Sequence, residues 1–218
     1  MRKFCIAISF FLVLNHLSAQ SSHYAITLEG APTFSYLKFK SSIFSIVDKP
    51  IWRYYGGMTL YYALGERYGI VSGVGYERKG GTSPMEMVNE NGDFLGTGDY
   101  RIQLDYISVP MLFRKILGAK NAFFVDMGGS WGCLIKQEES LLFQNIYRVA
   151  RNNNLIINDF SVLLGVGMRF PLWKNWSLPI TLRSQHSIFT LAPEPNPFKV
   201  NVRNNTAQLA IGLTYQFH

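Results

Sequence analysis

Thr206-Ala207-Gln208-Leu209-Ala210-Ile211-Gly212-Leu213-Thr214-Tyr215-Gln216-Phe217 alternates without a break. Ala207, Leu209, Ile211, Leu213, Tyr215 and Phe217 fall on one face, and small or polar residues fall on the other. A period of two residues is that of a β-strand with one apolar face, since successive side chains point to opposite sides. Trp52 to Leu64 repeats the pattern, with Trp52, Tyr54, Met58, Leu60, Tyr62 and Leu64 in one row. So do Phe160, Val162, Leu164, Val166, Met168 and Phe170, and the row Phe123, Val125, Met127, Trp131, Cys133 and Ile135.

Eight such segments can be counted, at about 23–39, 52–64, 67–80, 99–115, 121–136, 157–171, 175–190 and 205–217. Each exceeds the roughly 9–11 residues that carry a tilted strand across a bilayer. Short connections fall at 65–67, 117–120 and 173–175, and long polar ones at about 40–51, 82–98, 137–156 and 191–204. Alternating short turns and long loops are what an up-and-down outer-membrane barrel requires, with every second connection on the same rim. An even strand count brings both termini to the short-turn rim, which is expected to be periplasmic.

A soluble lipocalin-like barrel shares the strand count but turns its apolar face inward. The less apolar face here carries Gly57, Gly69, Gly73, Gly75, Gly128, Gly132, Gly165, Gly167 and Gly212. It also carries Glu29, Arg53, Glu77, Arg101, Asp105, Asp126, Arg169 and Arg183. Charges in mid-strand on a lipid face cost several kcal/mol each, whereas small residues and paired charges suit a narrow interior. The expected fold is therefore all-β: an eight-stranded antiparallel up-and-down transmembrane β-barrel with a polar, filled interior. Those eight charges are expected to form a lumen network of four acids and four bases, closed to solutes. The segment from 99 to 115 breaks step, with Ile102, Leu104 and Tyr106 on one parity and Ile107, Val109, Met111 and Phe113 on the other. A β-bulge near Tyr106–Ile107 would reset the facing.

Composition agrees. Among 218 residues, 48% are hydrophobic and 15% aromatic, and there are 19 glycines. No stretch after the first twenty residues is long and apolar enough for a membrane helix. Arg2 and Lys3, the apolar run Phe4 to Leu14 and the small residues Ser18-Ala19 read as a secretory signal, giving residues 1–19 as signal peptide and 20–218 as the barrel domain. The formal charge is +7 and loses two with Arg2 and Lys3, leaving +5. That excess suits contact with outer-membrane lipid, and no basic helix or nucleic-acid motif points to DNA or RNA. Removal of Cys5 would leave Cys133 alone, a small hydrophobe on an apolar row.

Leu104-Asp105-Tyr106-Ile107-Ser108-Val109-Pro110-Met111-Leu112-Phe113-Arg114 resembles the proline-bearing strand of the PorT-type outer-membrane β-barrel family. Ser108 stands where that family commonly has an acid. Phe123 to Ile135 with Gly128-Gly129, Asp159 to Phe170 with its Gly-x-Gly, and Gly212 to Phe217 resemble later strands of the same family. The resemblance covers almost all of the mature chain. It implies an integral outer-membrane protein with both ends in the periplasm. The family's namesake is associated with type IX protein secretion, so secretion-system or surface proteins are the partners it suggests.

Little in the chain points to chemistry. Gly73-Val74-Gly75 and Gly165-Val166-Gly167 lie inside strands and do not read as dinucleotide loops. His23, His186 and His218 have no metal-ligand spacing, and Glu86, Glu90 and Asp93 read as solvated loop acids, so no metal or cofactor is expected. His186 with Ser184 or Ser187, plus an acid from another strand, would form a nucleophile–base pair, and the alternative it offers is a small outer-membrane barrel enzyme acting on lipid or peptide. The expected role is nonetheless non-catalytic: structural, binding or secretion-associated. Phe143, Tyr147, Arg148 and Arg151 form the candidate partner-binding loop.

Overall fold

The computed structural model describes residues 24–40, 45–47, 49–118, 123–143, 146–151, 158–191 and 201–217. The signal segment lies outside them. All the regular structure in these residues is β: β1 (Tyr24–Lys40), β2 (Ser45–Val47), β3 (Ile51–Ala63), β4 (Tyr68–Val88), β5 (Phe94–Leu117), β6 (Phe123–Phe143), β7 (Ile146–Arg151), β8 (Asn158–Trp173), β9 (Trp176–Ser187) and β10 (Asn201–Phe217). Eight long strands pair in the order β1-β3-β4-β5-β6-β8-β9-β10, every pair antiparallel. β10 then pairs with β1 from Tyr24↔Phe217 to Lys40↔Asn201, which closes the sheet into a barrel. Closure removes the free sheet edges that would otherwise leave backbone groups unpaired in lipid. The short strands β2 and β7 fold back on the far ends of β1 and β6.

The facing follows the alternation. On β10, Val202, Asn204, Thr206, Gln208, Ala210 and Thr214 are buried inside, while Leu209 is 46% and Ile211 49% exposed on the outer wall. Leu60 and Leu164 also point outward. An apolar outside around a polar inside is the reverse of a lipocalin-like barrel. Two aromatic girdles bound the apolar wall. At the short-turn end Tyr24 meets Tyr62, Tyr68 stacks on Phe113, and Trp176 meets Tyr215. At the other end Phe34 meets Trp52, Tyr54 lies by Tyr76, and Phe160 meets Phe189 edge-on. Tyr24 and Phe34 are ten residues apart on β1. At ~3.3 Å per residue and a tilt of ~40° that is about 25 Å along the membrane normal, the height of an outer-membrane apolar band.

Inward glycines make room for rings laid flat on the inner wall. A Cβ on Gly167 would strike the Phe124 ring, and one on Gly75 would strike Tyr55. At the turn end Ala25, Tyr61, Val71, Leu112, Ile116 and Leu163 pack into an apolar cluster. At the loop end Leu37, Ile102, Leu104, Tyr106, Leu191 and Val202 form another. Apolar side chains thus pack into the lumen at both ends, with Arg114 set among those of the turn end, over the Tyr61 ring.

Two expectations need correction here. β5 keeps one facing throughout: Ile102, Leu104, Tyr106, Ser108, Leu112, Arg114 and Ile116 are all buried inside. The irregularity lies opposite, where Asp105 pairs with Lys136 but Tyr106 pairs with Leu134, so the extra residue is Ile135 of β6. The apolar Ile102, Leu104 and Tyr106 face inward because they build the loop-end plug. Residues 82–98 are also not a long loop. β4 and β5 continue as a ladder from Thr82↔Arg101 to Val88↔Phe94. A tight turn closes the hairpin: the Asn89 side-chain oxygen accepts from the backbone N–H groups of Asn91 (3.0 Å) and Asp93 (2.8 Å). Gly92 takes φ +87°, a conformation costly for a side-chain-bearing residue. β6 likewise runs on to Phe143 and returns as β7.

Candidate functional site: the lumen charge layers and the projecting sheet

Three groups of charges lie inside the barrel. Inward-facing Glu29 of β1 and Arg183 of β9 form a two-pronged pair at 2.6 and 2.8 Å, and the Tyr55 hydroxyl donates to Glu29 at 3.2 Å. Arg114 of β5 grips Asp126 of β6 in the same way, at 2.7 and 2.8 Å. The Arg114 guanidinium also sits 3.9 Å from the centre of the Phe124 ring. Loopward of these, Lys79 of β4, only 2% exposed, bridges Glu77 at 3.1 Å and Asp159 of β8 at 3.3 Å. Gln208 donates to Glu77 at 2.7 Å, and Ser187 donates to Asp159 at 2.7 Å. Each of these charges has an opposite charge beside it, as burial demands, and Glu29, Glu77 and Asp159 accept further hydrogen bonds from Tyr55, Gln208 and Ser187. A small cavity bordered by Tyr55, Glu77, Ser108, Arg183, Gln185 and Gln208 has room for about one water.

The eight charges expected inside therefore divide. Glu29, Glu77, Asp126 and Arg183 lie in the buried layers. Arg169 is half-buried on the inward row near the turn end, and its Nε meets no hydrogen-bond partner among the described residues. Arg53 is half-buried opposite Thr33 of β1 and reaches the Trp52 carbonyl at 3.4 Å. Asp105 and Arg101 are on the outer side of the wall, because β5 does not change its facing. Asp105 is bound there by Arg78 at 2.7 and 3.0 Å, and Arg78 lies over the Tyr54 ring and donates to the Tyr76 hydroxyl. Arg101 is exposed.

Lys79, Asp159 and Arg114 complete the layers and were missed in the sequence. The signal was present. Lys79 follows Glu77 by two residues and so shares its face, Asp159 opens the alternation of its strand, and Arg114 has inward parity with Leu112.

The candidate partner-binding residues do not form a loop. Phe143 ends β6 and is half-buried, its ring against Gly96, where a Cβ would stand 3.4 Å from it. Tyr147, Arg148 and Arg151 belong to β7, paired with Leu142, Leu141 and Glu138 through the backbone. Their side chains lie outside the described residues. Above the barrel β4, β5, β6 and β7 make one projecting sheet, with Met85, Phe94, Leu95 and Leu142 exposed and Phe94 the most open at 63%.

On the outer wall Ser184 and His186 of β9 share a face, with Ser184 Oγ 3.0 Å from His186 Nε2. The other ring nitrogen, Nδ1, is 2.8 Å from Asn205 Oδ1 on β10. Ser187 points into the lumen and is committed to Asp159. Among the described residues no group of three or more His, Cys, Asp or Glu is placed to hold a metal.

A family model for the outer membrane protein beta-barrel domain matches residues 18–191. The chain belongs to that family. Family and fold together make it an integral protein of the bacterial outer membrane. No curated protein matches the chain. Solved structures similar to it include Ail, the attachment invasion locus protein of Yersinia pestis, at 12% identity over 91% of this chain and 100% of that one, with a TM-score of 0.41. Neisserial surface protein A matches at 13% identity over 91% and 100%, with a TM-score of 0.41. The outer membrane protease OmpT of Escherichia coli matches at 12% identity over 91% and 98%, with a TM-score of 0.35. Likenesses this distant carry no activity over to this chain.

Proposed function

We propose that the protein is a sealed outer-membrane anchor that displays the β4–β7 sheet outside the cell for a protein partner. In this reading residues 1–19 are a cleaved export signal, both termini are periplasmic, and the short turns face the periplasm. The observation that carries it is the continuation of paired strands beyond the apolar wall. Strand pairing there uses residues that the membrane does not need, and it leaves Phe94, Leu95, Met85 and Leu142 open to solvent. Phe94 and Leu95 are successive residues of β5 and stand on opposite faces, so each face of the sheet carries exposed apolar side chains of the kind that serve in partner binding.

The lumen supports the anchor reading. An eight-stranded barrel is only wide enough for side chains to fill it, and here charge layers and two apolar plugs do so. A PorT-like part in protein secretion is the more specific form of the proposal, and it rests on the Leu104–Arg114 motif. The test is affinity capture from outer membranes with the full chain and with a chain whose residues 84–97 are replaced by a two-residue turn. The full chain should retain a surface or secretion protein that the shortened chain loses. The same partners on both, or none on either, would contradict the display role.

A further inference from the structure

We propose that Ser184, His186 and Asn205 form a nucleophile, a base and its positioning residue on the outer wall, and that they hydrolyse acyl esters of membrane lipids. This goes beyond the display role and does not rest on it. The geometry is a linear relay. Asn205 Oδ1 only accepts, so at 2.8 Å it holds the hydrogen on His186 Nδ1. Nε2 is then left with its lone pair toward Ser184 Oγ at 3.0 Å, within reach to take the hydroxyl proton. The strand pairing sets this up. Asn205 lies directly across the ladder from His186, and Ser184 is two residues along on the same face. Asn205 is 8% exposed whereas His186 is open, so the positioning group is fixed and the reacting pair is accessible.

Position names the substrate. Ser184 pairs across to Ala207, and Ala207 to Phe34 of the loop-end girdle, whose Phe189 follows Ser184 by five residues, so the hydroxyl lies toward the loop end of the wall on the turn side of that girdle. Leu164 lies directly across the ladder from Ser184 on β8, and Leu182 and Leu209 form the apolar wall on its turn side. From Trp176 in the turn-end girdle, His186 is ten residues on, about 25 Å along the normal at ~3.3 Å per residue and ~40° tilt. That is where the apolar band gives way to headgroups, and where a lipid's ester linkages lie. One step loopward on the same outer face, Lys38 and Arg203 are exposed and directly opposite each other on β1 and β10. Like charges facing across a ladder repel, and an anionic headgroup phosphate between them removes that cost.

In the first step Ser184 Oγ attacks the ester carbonyl carbon as its proton passes to His186 Nε2. The carbonyl–alkoxide bond breaks, the proton goes from His186 to the departing alcohol, and the acyl group stays on Ser184. Water then attacks the acyl carbon, giving one proton to His186. The acyl–Oγ bond breaks, the proton returns to Ser184, and a free fatty acid leaves. No other reactant is required.

The experiment uses the full chain folded in detergent micelles, its fold checked for every variant by circular dichroism. A fluorophosphonate probe reports the nucleophile. Fatty-acid release is read from phosphatidylethanolamine mixed micelles and, separately, from lipopolysaccharide, which distinguishes the two sources of acyl ester. The wild type should take the label on Ser184 and release fatty acid from at least one substrate. Ser184→Ala should lose the label, and Ser184→Ala and His186→Ala should each lower release by ~10³-fold or more. Asn205→Ala should lower kcat by about tenfold to a hundredfold with KM little changed, as expected of a positioning residue. A wild type that is unlabelled and inert on both lipids, activity retained in Ser184→Ala, or cleavage of casein in place of lipid would overturn the proposal.

Discussion

The part of the barrel between the aromatic girdles and the sheet that projects beyond it are built from the same strands under different solvents. Between the girdles one face meets lipid and the other a packed lumen, so every step along a strand changes the environment. The outward row Leu209-Ile211-Leu213 there is apolar. Above the loop-end girdle both faces of β4 and β5 meet water or neighbouring chain, and the alternation fades into Thr82, Ser83, Met85, Glu86 and Met87. Register in the first region is held by the cost of putting the wrong row in lipid. In the second it is held only by the ladder and the Asn89 turn.

The difference predicts an order of sensitivity. The largest effects belong to the lumen. Asp126→Leu strips the partner from a buried guanidinium and should lower unfolding stability by about 3–5 kcal/mol, read by urea titration in micelles. Arg183→Leu should match it through Glu29. A loss under 1 kcal/mol in both would mean that water reaches these groups. Next comes the lipid wall, where Leu209→Arg should cost about 2–4 kcal/mol if Leu209 lies near mid-bilayer. A neutral result would mean that this row faces water or protein. The projecting sheet should be least sensitive. Asn89→Ala removes three turn hydrogen bonds, two from backbone N–H groups and one to the Asp93 carboxylate, and should cost about 1 kcal/mol locally. Its readout is faster protease cleavage at 88–94 on intact cells, with the unfolding midpoint of the barrel unchanged. A shifted midpoint would tie the hairpin to the barrel as one cooperative unit.

The same contrast explains what could be read from the residues. Strand number, order of facing and the polar interior were legible because lipid writes a strict period into the sequence. All eight long strands fall where the alternation puts them, and the inward row of glycines and charges gave Glu29, Glu77, Asp126 and Arg183. The errors lie in the upper barrel. Ile102, Leu104 and Tyr106 look lipid-facing by composition, yet they form an internal plug, a use of apolar residues that alternation cannot tell from a lipid face. That reversal put Asp105 and Arg101 inside, when Asp105 is held outside by Arg78. The ladder from Thr82 to Val88 was hidden because a strand wet on both faces has no apolar row. The pairing of charges was out of reach as well. Glu29 and Arg183 are 154 residues apart in sequence, and only barrel closure brings them within 2.6 Å. The Asn205 contact to His186 was missed for the same reason: an acid was sought, and the amide arrives through strand pairing.

The central claim is a barrel with lipid outside and a lumen closed by paired charges and two apolar plugs. Conductance of the purified full chain in planar bilayers at neutral pH tests it most directly. The closed lumen predicts no steady current above the bare membrane at either polarity; a reproducible open channel would contradict it and would mean that the charge layers line a path.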